Sequence, residues 1–231
     1  MKYALVFLVA SLMFMVLALA FQGLAWMLLW PALNLVCLAY AYAANQAQIL
    51  GKKPDGRLRT GAVLVYLPYF ALTWLCWSAY VRLLSEAWSH EVAPGIWVGR
   101  RPSPQHIPPN ALVVDMTAEF PAHSKLRAPG DLMVLPTLDA RSPGSAILMD
   151  YAQTLSEQTR PIYVHCAQGH GRSATLAAVI LVIRGDAISI EAALEQMSSV
   201  RPGVHLHSIQ FRDAEAAIDL HRIVSGREHL A

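Results

Sequence analysis

An α/β domain with a mostly parallel sheet flanked by helices, preceded by an all-α membrane region of about three spans, is the architecture this chain predicts. Three observations carry that reading. Charged residues are absent between Lys2 and Lys52, and again over residues 61–81. From Glu91 onward, short apolar runs alternate with longer amphipathic ones, as when strands exchange with helices. In one of those exchanges, apolar runs at 161–164 and 174–183 bracket a polar stretch with two glycines, Gly169 and Gly171.

The 231 residues are 55% hydrophobic and 15% charged, a skewed balance for a soluble protein. The skew is local. The first 90 residues hold six Lys/Arg and two Asp/Glu, net +4, and the remainder holds 12 and 14, net −2. Neither half has the basic patch of a nucleic-acid binder, so nucleic acid is excluded as a partner. We divide the chain at this change, into a membrane region over 1–90 and a second domain over 91–231.

A spanning helix needs about 20 mostly apolar residues. Residues 3–21 fit one span, 24–43 a second and 61–83 a third. Trp26, Trp30, Tyr40 and Tyr42 stand near the ends of the second, where interfacial aromatics belong. The third contains Pro68, which a membrane helix tolerates. A cleaved signal peptide is the alternative for the first segment. Its long apolar run, with more apolar sequence following at once, favours an uncleaved span and a multi-pass protein. Residues 45–60, with Lys52, Lys53, Arg57 and Arg59, read as a solvated connection, and residues 84–93 as a linker. Cys37 and Cys76 lie inside the spans and Cys166 far outside them, so no disulfide framework is indicated.

In the second half, residues 96–99, 111–116 and 132–135 read as strands, and the proline-rich stretch 102–110 as loop. Residues 145–158 read as a helix with Ile147, Leu148, Tyr151 and Leu155 on its inner face. Ser189 is placed to cap a helix over 190–197, and Ser208 a last helix that Gly226 ends near Val224.

Between strand 161–164 and helix 174–183 stands His165-Cys166-Ala167-Gln168-Gly169-His170-Gly171-Arg172-Ser173. Gly169 and Gly171 let the backbone curl tightly. Successive N–H groups in such a curl point inward and make an anion nest, to which the following helix adds its positive end. Arg172 offers a planar fork that matches two phosphate oxygens. A cysteine beneath that cradle is held as a thiolate, because helix N-termini and cations lower thiol pKa values. A buried structural cysteine is the plainer account, but it leaves the arginine, the glycines and the helix start unexplained.

This stretch resembles the signature loop of the cysteine-dependent protein tyrosine phosphatase superfamily, His-Cys-x5-Arg-Ser/Thr. The sulfurtransferases of the rhodanese type usually have four residues between cysteine and arginine, against five here. Residues 91–101, 112–119 and Arg201-Pro202-Gly203 with Gln210 are similar to the dual-specificity branch, so the resemblance covers about residues 91–224 and none of the membrane half. His207 departs from that pattern, where many relatives carry asparagine. The resemblance implies a dual-specificity-phosphatase-like fold and a two-step reaction. Cys166 takes the phosphoryl group as phosphocysteine. Arg172 and the amides of Ala167, Gln168, Gly169, His170, Gly171 and Arg172 hold its oxygens, and Ser173 assists departure of the sulfur. A leaving oxygen needs a proton, and a carboxylic acid on a loop supplies it. Asp139, in the turn-rich stretch after 132–135 and 27 positions before Cys166, is the first choice. Asp115 ends a strand, where a hydrogen bond to the following turn suits it better, and Asp131 is weaker. His165 holds the loop rather than moving protons. No metal or other cofactor is required, and the remaining histidines, the pair His205 and His207 among them, read as loop residues.

Two substrate classes stay open. A phosphorylated protein carrying phosphotyrosine, phosphoserine or phosphothreonine is the first. A phospholipid headgroup is the second, since the spans keep the site near membrane lipid. Lipid-directed relatives often carry lysines within the loop. Ala167, Gln168 and His170 in those positions argue against a polyphosphorylated inositol, but not against a simple phosphomonoester like phosphatidylglycerophosphate. A third class, a non-catalytic phosphate-binding module, is opposed by Cys166, Arg172 and Asp139 occurring together. The face of the membrane is divided in the same way. With three spans, five cations against three favour an outward catalytic domain. The chemistry of an oxidisable thiolate leans to the cytoplasm.

Overall fold

The computed structural model describes residues 2–128 and 130–228. The chain divides into two compact units, one of Met1–Lys53, Arg57–Glu86 and Ala118–Pro121, the other of Pro54–Gly56, Ala87–Thr117 and Ala122–Ala231.

The first unit is helical. Helix α1 (Lys2–Phe21) is followed by a 3₁₀ segment, Gly23–Leu28, that runs into α2 (Leu29–Ala44). Both α1 and the stretch Gly23–Ala44 are long and apolar enough to cross a membrane, with mean hydropathies of 2.8 and 1.7. Gln22 and Gly23 take positive φ and supply the turn expected between them. The buried residues of α1 are small, Ser11 and Ala18, and α2 buries Ala32, Ala39 and Ala41 together with Leu38 and Tyr42, whose ring meets Tyr3 and Phe7 of α1. Small residues let apolar helices approach closely, and the Ser11 hydroxyl donates to the Ala32 carbonyl at 2.7 Å.

The third expected span is divided. Helices α3 (Thr60–Val65) and α4 (Leu67–Leu83) meet at Tyr66, so two helices of span length are present among the described residues, and not three. Pro68 explains the break, because it lacks an N–H and its ring crowds the carbonyl four residues earlier. The Val65 carbonyl at the break accepts from Trp30 Nε1 at 2.8 Å and Asn34 Nδ2 at 2.9 Å. Those bonds account for an asparagine in the middle of an apolar helix. The loop read as solvated is also partly buried. Lys52 is 8% exposed, and its ammonium donates to the Phe120 carbonyl at 2.6 Å.

The second unit is built on a five-stranded sheet. Its strands are β1 (Ser89–Ala93), β2 (Ile96–Gly99), β3 (Leu112–Thr117), β4 (Leu132–Thr137) and β5 (Ile162–His165), in the order β1-β2-β5-β3-β4. β1 pairs antiparallel with β2 and every other pairing is parallel, so the sheet is mixed. β1 lies in the stretch expected as linker. It forms because Pro94-Gly95, with Gly95 at φ 77°, turns the chain back into β2.

Side chains alternate across this sheet. Leu112, Val114 and Met116 of β3 and Ile162 and Val164 of β5 enter the main core. Helices α5 (Ser145–Ser156), α6 (Arg172–Arg184), α7 (Ile190–Val200) and α8 (Ser208–Glu228) complete it with Leu148, Leu155, Leu176, Ile180, Met197 and Ile218. Val113 and Tyr163 turn to the other face, against Trp97, Ile107 and Leu132. α6 is buried continuously from Arg172 to Leu181, which is why its sequence lacks a polar face. On α5 the inner face is Leu148, Ala152 and Leu155. Ile147, expected inward, is 45% exposed, one position off that stripe. Ser189 caps α7 by accepting from the Ala192 amide, while Ser208 is itself the first residue of α8. α8 continues past Gly226 to Glu228, because that glycine does not take the left-handed φ that stops a helix.

Parallel strands end on one edge. The loops after β4 and β5 therefore open on the same side of the sheet, and they carry Asp139 and Cys166.

Candidate active site

Cys166 follows the last residue of β5, and Arg172 opens the 13-residue α6, with Gly171 as its N-cap. The intervening loop curls through Gly169, at φ 79°. The Gly169 backbone lies against β2, and a Cβ there would overlap the Gly99 carbonyl and the Arg100 nitrogen. Only glycine meets both demands.

The loop carbonyls are taken up in sequence. Cys166 O accepts from His165 Nδ1 at 3.2 Å, Ala167 O from Arg101 N at 3.2 Å, and Gln168 O from Arg201 NH2 at 2.7 Å. Gly169 O accepts from Arg201 Nε at 2.9 Å, His170 O from His205 N at 3.2 Å, and Gly171 O from Thr175 N at 2.8 Å. A trans peptide sends its N–H opposite to its C=O. Tethering these carbonyls outside the curl turns the amides that follow them toward its interior. One is seen to arrive, where Gly169 N donates to Cys166 Sγ at 3.2 Å.

Ser173 Oγ stands 3.5 Å from the same sulfur. Burial pushes the Cys166 thiol up. The Arg172 guanidinium, the Ser173 hydroxyl and the amides of Ser173 and Gly169 outweigh it, so the thiol is held below its ordinary range. Arg172 is 2% exposed. Its NH1 donates to Thr137 O at 2.9 Å, and its NH2 lies 3.3 Å from Asp139 Oδ1. The β4 loop thus brings Asp139, its side chain 74% exposed, to the mouth of the curl. Gln210 ties the two loops. Its Nε2 donates to Arg141 O at 3.0 Å, its Oε1 accepts from His207 N at 2.9 Å, and its amide lies against Gly171. His207 thus meets Gln210 through its backbone, which any residue offers. His205 and His207 stand edge to face at 5.6 Å.

Asp115 sits elsewhere. It is 1% exposed and directly opposite His165 in the β3–β5 register. Its Oδ1 accepts from Thr117 N and Thr117 Oγ1 and lies 3.8 Å from His165 Nε2. His165 is therefore held between a carboxylate and the Cys166 carbonyl. Asp131 pairs with Arg160 at 2.8 Å, at the amino end of β4. A cavity of about 400 Å³ lies there, lined by Pro104, Ile107, Lys125, Leu126 and Arg160, away from Cys166.

In the sequence, Arg201 stands only in a stretch similar to the dual-specificity branch, with no partner assigned. The structure brings its guanidinium, 0% exposed, against the loop. An arginine just past the end of a helix and followed by Pro-Gly was the available signal. Arg100, also buried, stacks over Trp88 at 5.1 Å, and Tyr163 Oη donates to Arg100 O at 3.0 Å. Burial pushes the Tyr163 phenol up to about 12, so it serves as a neutral donor.

Residues 111–222 match a family model, PTP-SAK, described as the Swiss Army Knife protein, DSP-PTPase phosphatase domain. This part of the protein is therefore similar to a dual-specificity phosphatase domain, and it has the α/β fold of such domains. Solved structures agree on the fold. PTPMT1 in complex with PI(5)P superposes with a TM-score of 0.50 at 22% identity, over 61% of this chain and 99% of that one. The G95A mutant form of Tk-PTP gives 0.51 at 19% identity, over 58% and 97%. No curated protein matches the chain.

Proposed function

We propose that the protein is a membrane-anchored phosphatase that hydrolyses phosphomonoesters through a phosphocysteine intermediate, with Cys166 as nucleophile. The observation that carries the reading is a buried sulfur contacted by Gly169 N and Ser173 Oγ, beside an arginine fork. Cys166 attacks phosphorus and displaces the ester oxygen. Arg172 and the amides from Ala167 to Arg172 hold the three equatorial oxygens, whose charge grows in the transition state. Asp139, 3.3 Å from Arg172, protonates the leaving oxygen and then takes a proton from the attacking water. The Ser173 hydroxyl donates to the sulfur as it leaves. His165 and Asp115 keep the loop in place from behind.

A phosphorylated protein is the first substrate reading, supported by the dual-specificity phosphatase-like domain. A phospholipid phosphomonoester is the second. It is supported by two helices apolar enough to reside in lipid, and by PTPMT1, which was solved with PI(5)P. The full chain in detergent micelles, assayed on a generic aryl phosphate, tests the reaction. Turnover is expected, with less than a few per cent left in Cys166→Ser. A Cys166→Ser enzyme that kept its rate would remove this cysteine from the mechanism. Comparing a phosphopeptide with a phosphomonoester lipid in mixed micelles then chooses between the substrates.

A further inference from the structure

We propose that Arg201 is a positioning residue that aims two consecutive loop peptides, 168–169 and 169–170, the first of them at the sulfur, and that residues 87–90 hold it in place. The proposal rests on reading the loop as a phosphate cradle. The guanidinium is completely buried, and all three of its nitrogens are engaged. NH2 donates to Gln168 O at 2.7 Å and Nε to Gly169 O at 2.9 Å. NH1 donates to Ala87 O and lies 3.2 Å from His90 Nδ1. A guanidinium only donates, so that His90 nitrogen is an acceptor.

The consequence follows from peptide planarity. The Gln168 carbonyl and the Gly169 N–H belong to one trans peptide and point in opposite directions. Holding the carbonyl outward aims the N–H inward, where it reaches Cys166 Sγ at 3.2 Å. The next peptide is fixed in the same way, so holding Gly169 O outward turns His170 N–H into the curl. The left-handed φ of Gly169 lets two consecutive carbonyls meet one fork. One side chain, contributed from 32 and 33 residues away, therefore orients one dipole toward the thiolate and the next toward the phosphate oxygens. Lysine cannot replace it, because an ammonium is a point donor without the rigid fork that spans two acceptors. The third nitrogen keeps the fork from rotating. Its anchors, Ala87 and His90, belong to the segment that follows α4 and enters β1.

The test uses the full chain in detergent, with Arg201→Lys, Arg201→Gln and His90→Ala. Two readouts need no turnover: the affinity for inorganic phosphate, and the pH midpoint of Cys166 alkylation by iodoacetamide, followed on the peptide that carries it. The groups bearing on that midpoint are Arg172, Ser173 and the Gly169 amide at the sulfur, His165 with Asp115 behind the loop, and Asp139 on Arg172. Both Arg201 variants are expected to bind phosphate about ten- to a hundredfold more weakly, the scale of losing one hydrogen bond to a charged group, and to alkylate at a higher midpoint. Lysine should do no better than glutamine. His90→Ala leaves the loop bonds in place and should weaken phosphate by about two- to fivefold, part of the worth of the one hydrogen bond it removes from the guanidinium.

An Arg201 variant that melts cooperatively and matches wild type in both readouts overturns the proposal. Should neither Arg201 variant fold, His90→Ala decides, and wild-type values for it overturn the proposal too. A wild-type protein that hydrolyses no ester, yet shows these shifts, sinks the proposed function and leaves the positioning role standing. Retained turnover with unshifted variants does the reverse.

Discussion

Asp139→Asn separates two effects of one carboxylate. Asp139 Oδ1 lies 3.3 Å from Arg172 NH2, on the fork that phosphate oxygens would occupy. An arriving phosphate therefore competes with it. Two unit charges at that distance attract by about 1.3 kcal/mol in water. The Asp139 side chain is 74% exposed, and salt and solvent reduce such a pair to roughly 0.2–1 kcal/mol. Asparagine keeps the shape and removes the charge, so inorganic phosphate should bind up to about fivefold more tightly. Turnover should move the other way. Proton donation by a positioned acid contributes about 10²–10⁴ in rate, and that factor is needed only where the leaving oxygen is basic. The assay is calorimetric titration with phosphate, together with kcat over aryl and alkyl phosphates of rising leaving-group pKa. The variant should fall progressively behind wild type along the series and stay close to it at the activated end. Equal losses at every leaving group would deny Asp139 the role of acid or point to a folding defect. Weaker phosphate binding would refute the competition at Arg172.

The remaining expectations are shorter. The Cys166 thiol is held below its ordinary range, so alkylation should persist below pH ~8.5, and Arg172→Ala should raise its midpoint. The same shift predicts stability with a definite sign. The unfolded chain keeps that proton up to about pH 8.5 and the folded one does not, so wild type should gain stability over Cys166→Ser as pH rises through that window and lose it as pH falls through the folded midpoint; thermal melts across pH check it. Gly169→Ala and Gly185→Ala form a matched pair, since both glycines have φ near 79° but only the first has backbone within reach of a new Cβ. Gly185→Ala should lose about 1–2 kcal/mol of stability, and Gly169→Ala distinctly more, together with phosphate binding, and equal melting losses would deny the Gly169–Gly99 contact. A reporter active only outside the cytoplasm, fused after the last residue, should stay silent, and high activity would place the catalytic half outside and favour an envelope phosphoester.

What could be read from the sequence was what lies close together along it. Residues 165–173 spell a strand end, a curl and a helix start in nine positions, and each group there acts on a neighbour a few residues away. Asp139 was reachable because the run ending at Leu135 sets where its loop begins. Pairings across the sheet were not reachable. Asp115 faces His165 only because β3 and β5 align those positions, and a register is invisible in either strand alone. β1 was missed as linker although Pro94-Gly95 signalled a hairpin, since an edge strand of five residues carries too little alternation to stand out. The third span failed at Pro68, where composition stayed apolar while the backbone parted.

Arg201 shows why the limit is physical. A motif displays the loop's donors and its charges. Whether those amides face inward is settled by the partners that take the opposite ends of the same peptides. Those partners come from two distant segments, Arg101 after β2, and Arg201 and His205 between α7 and α8. The direction of the cradle is therefore a tertiary property, held from outside the signature. A chain could keep all nine residues of the signature and lose the cradle through a change at Arg201.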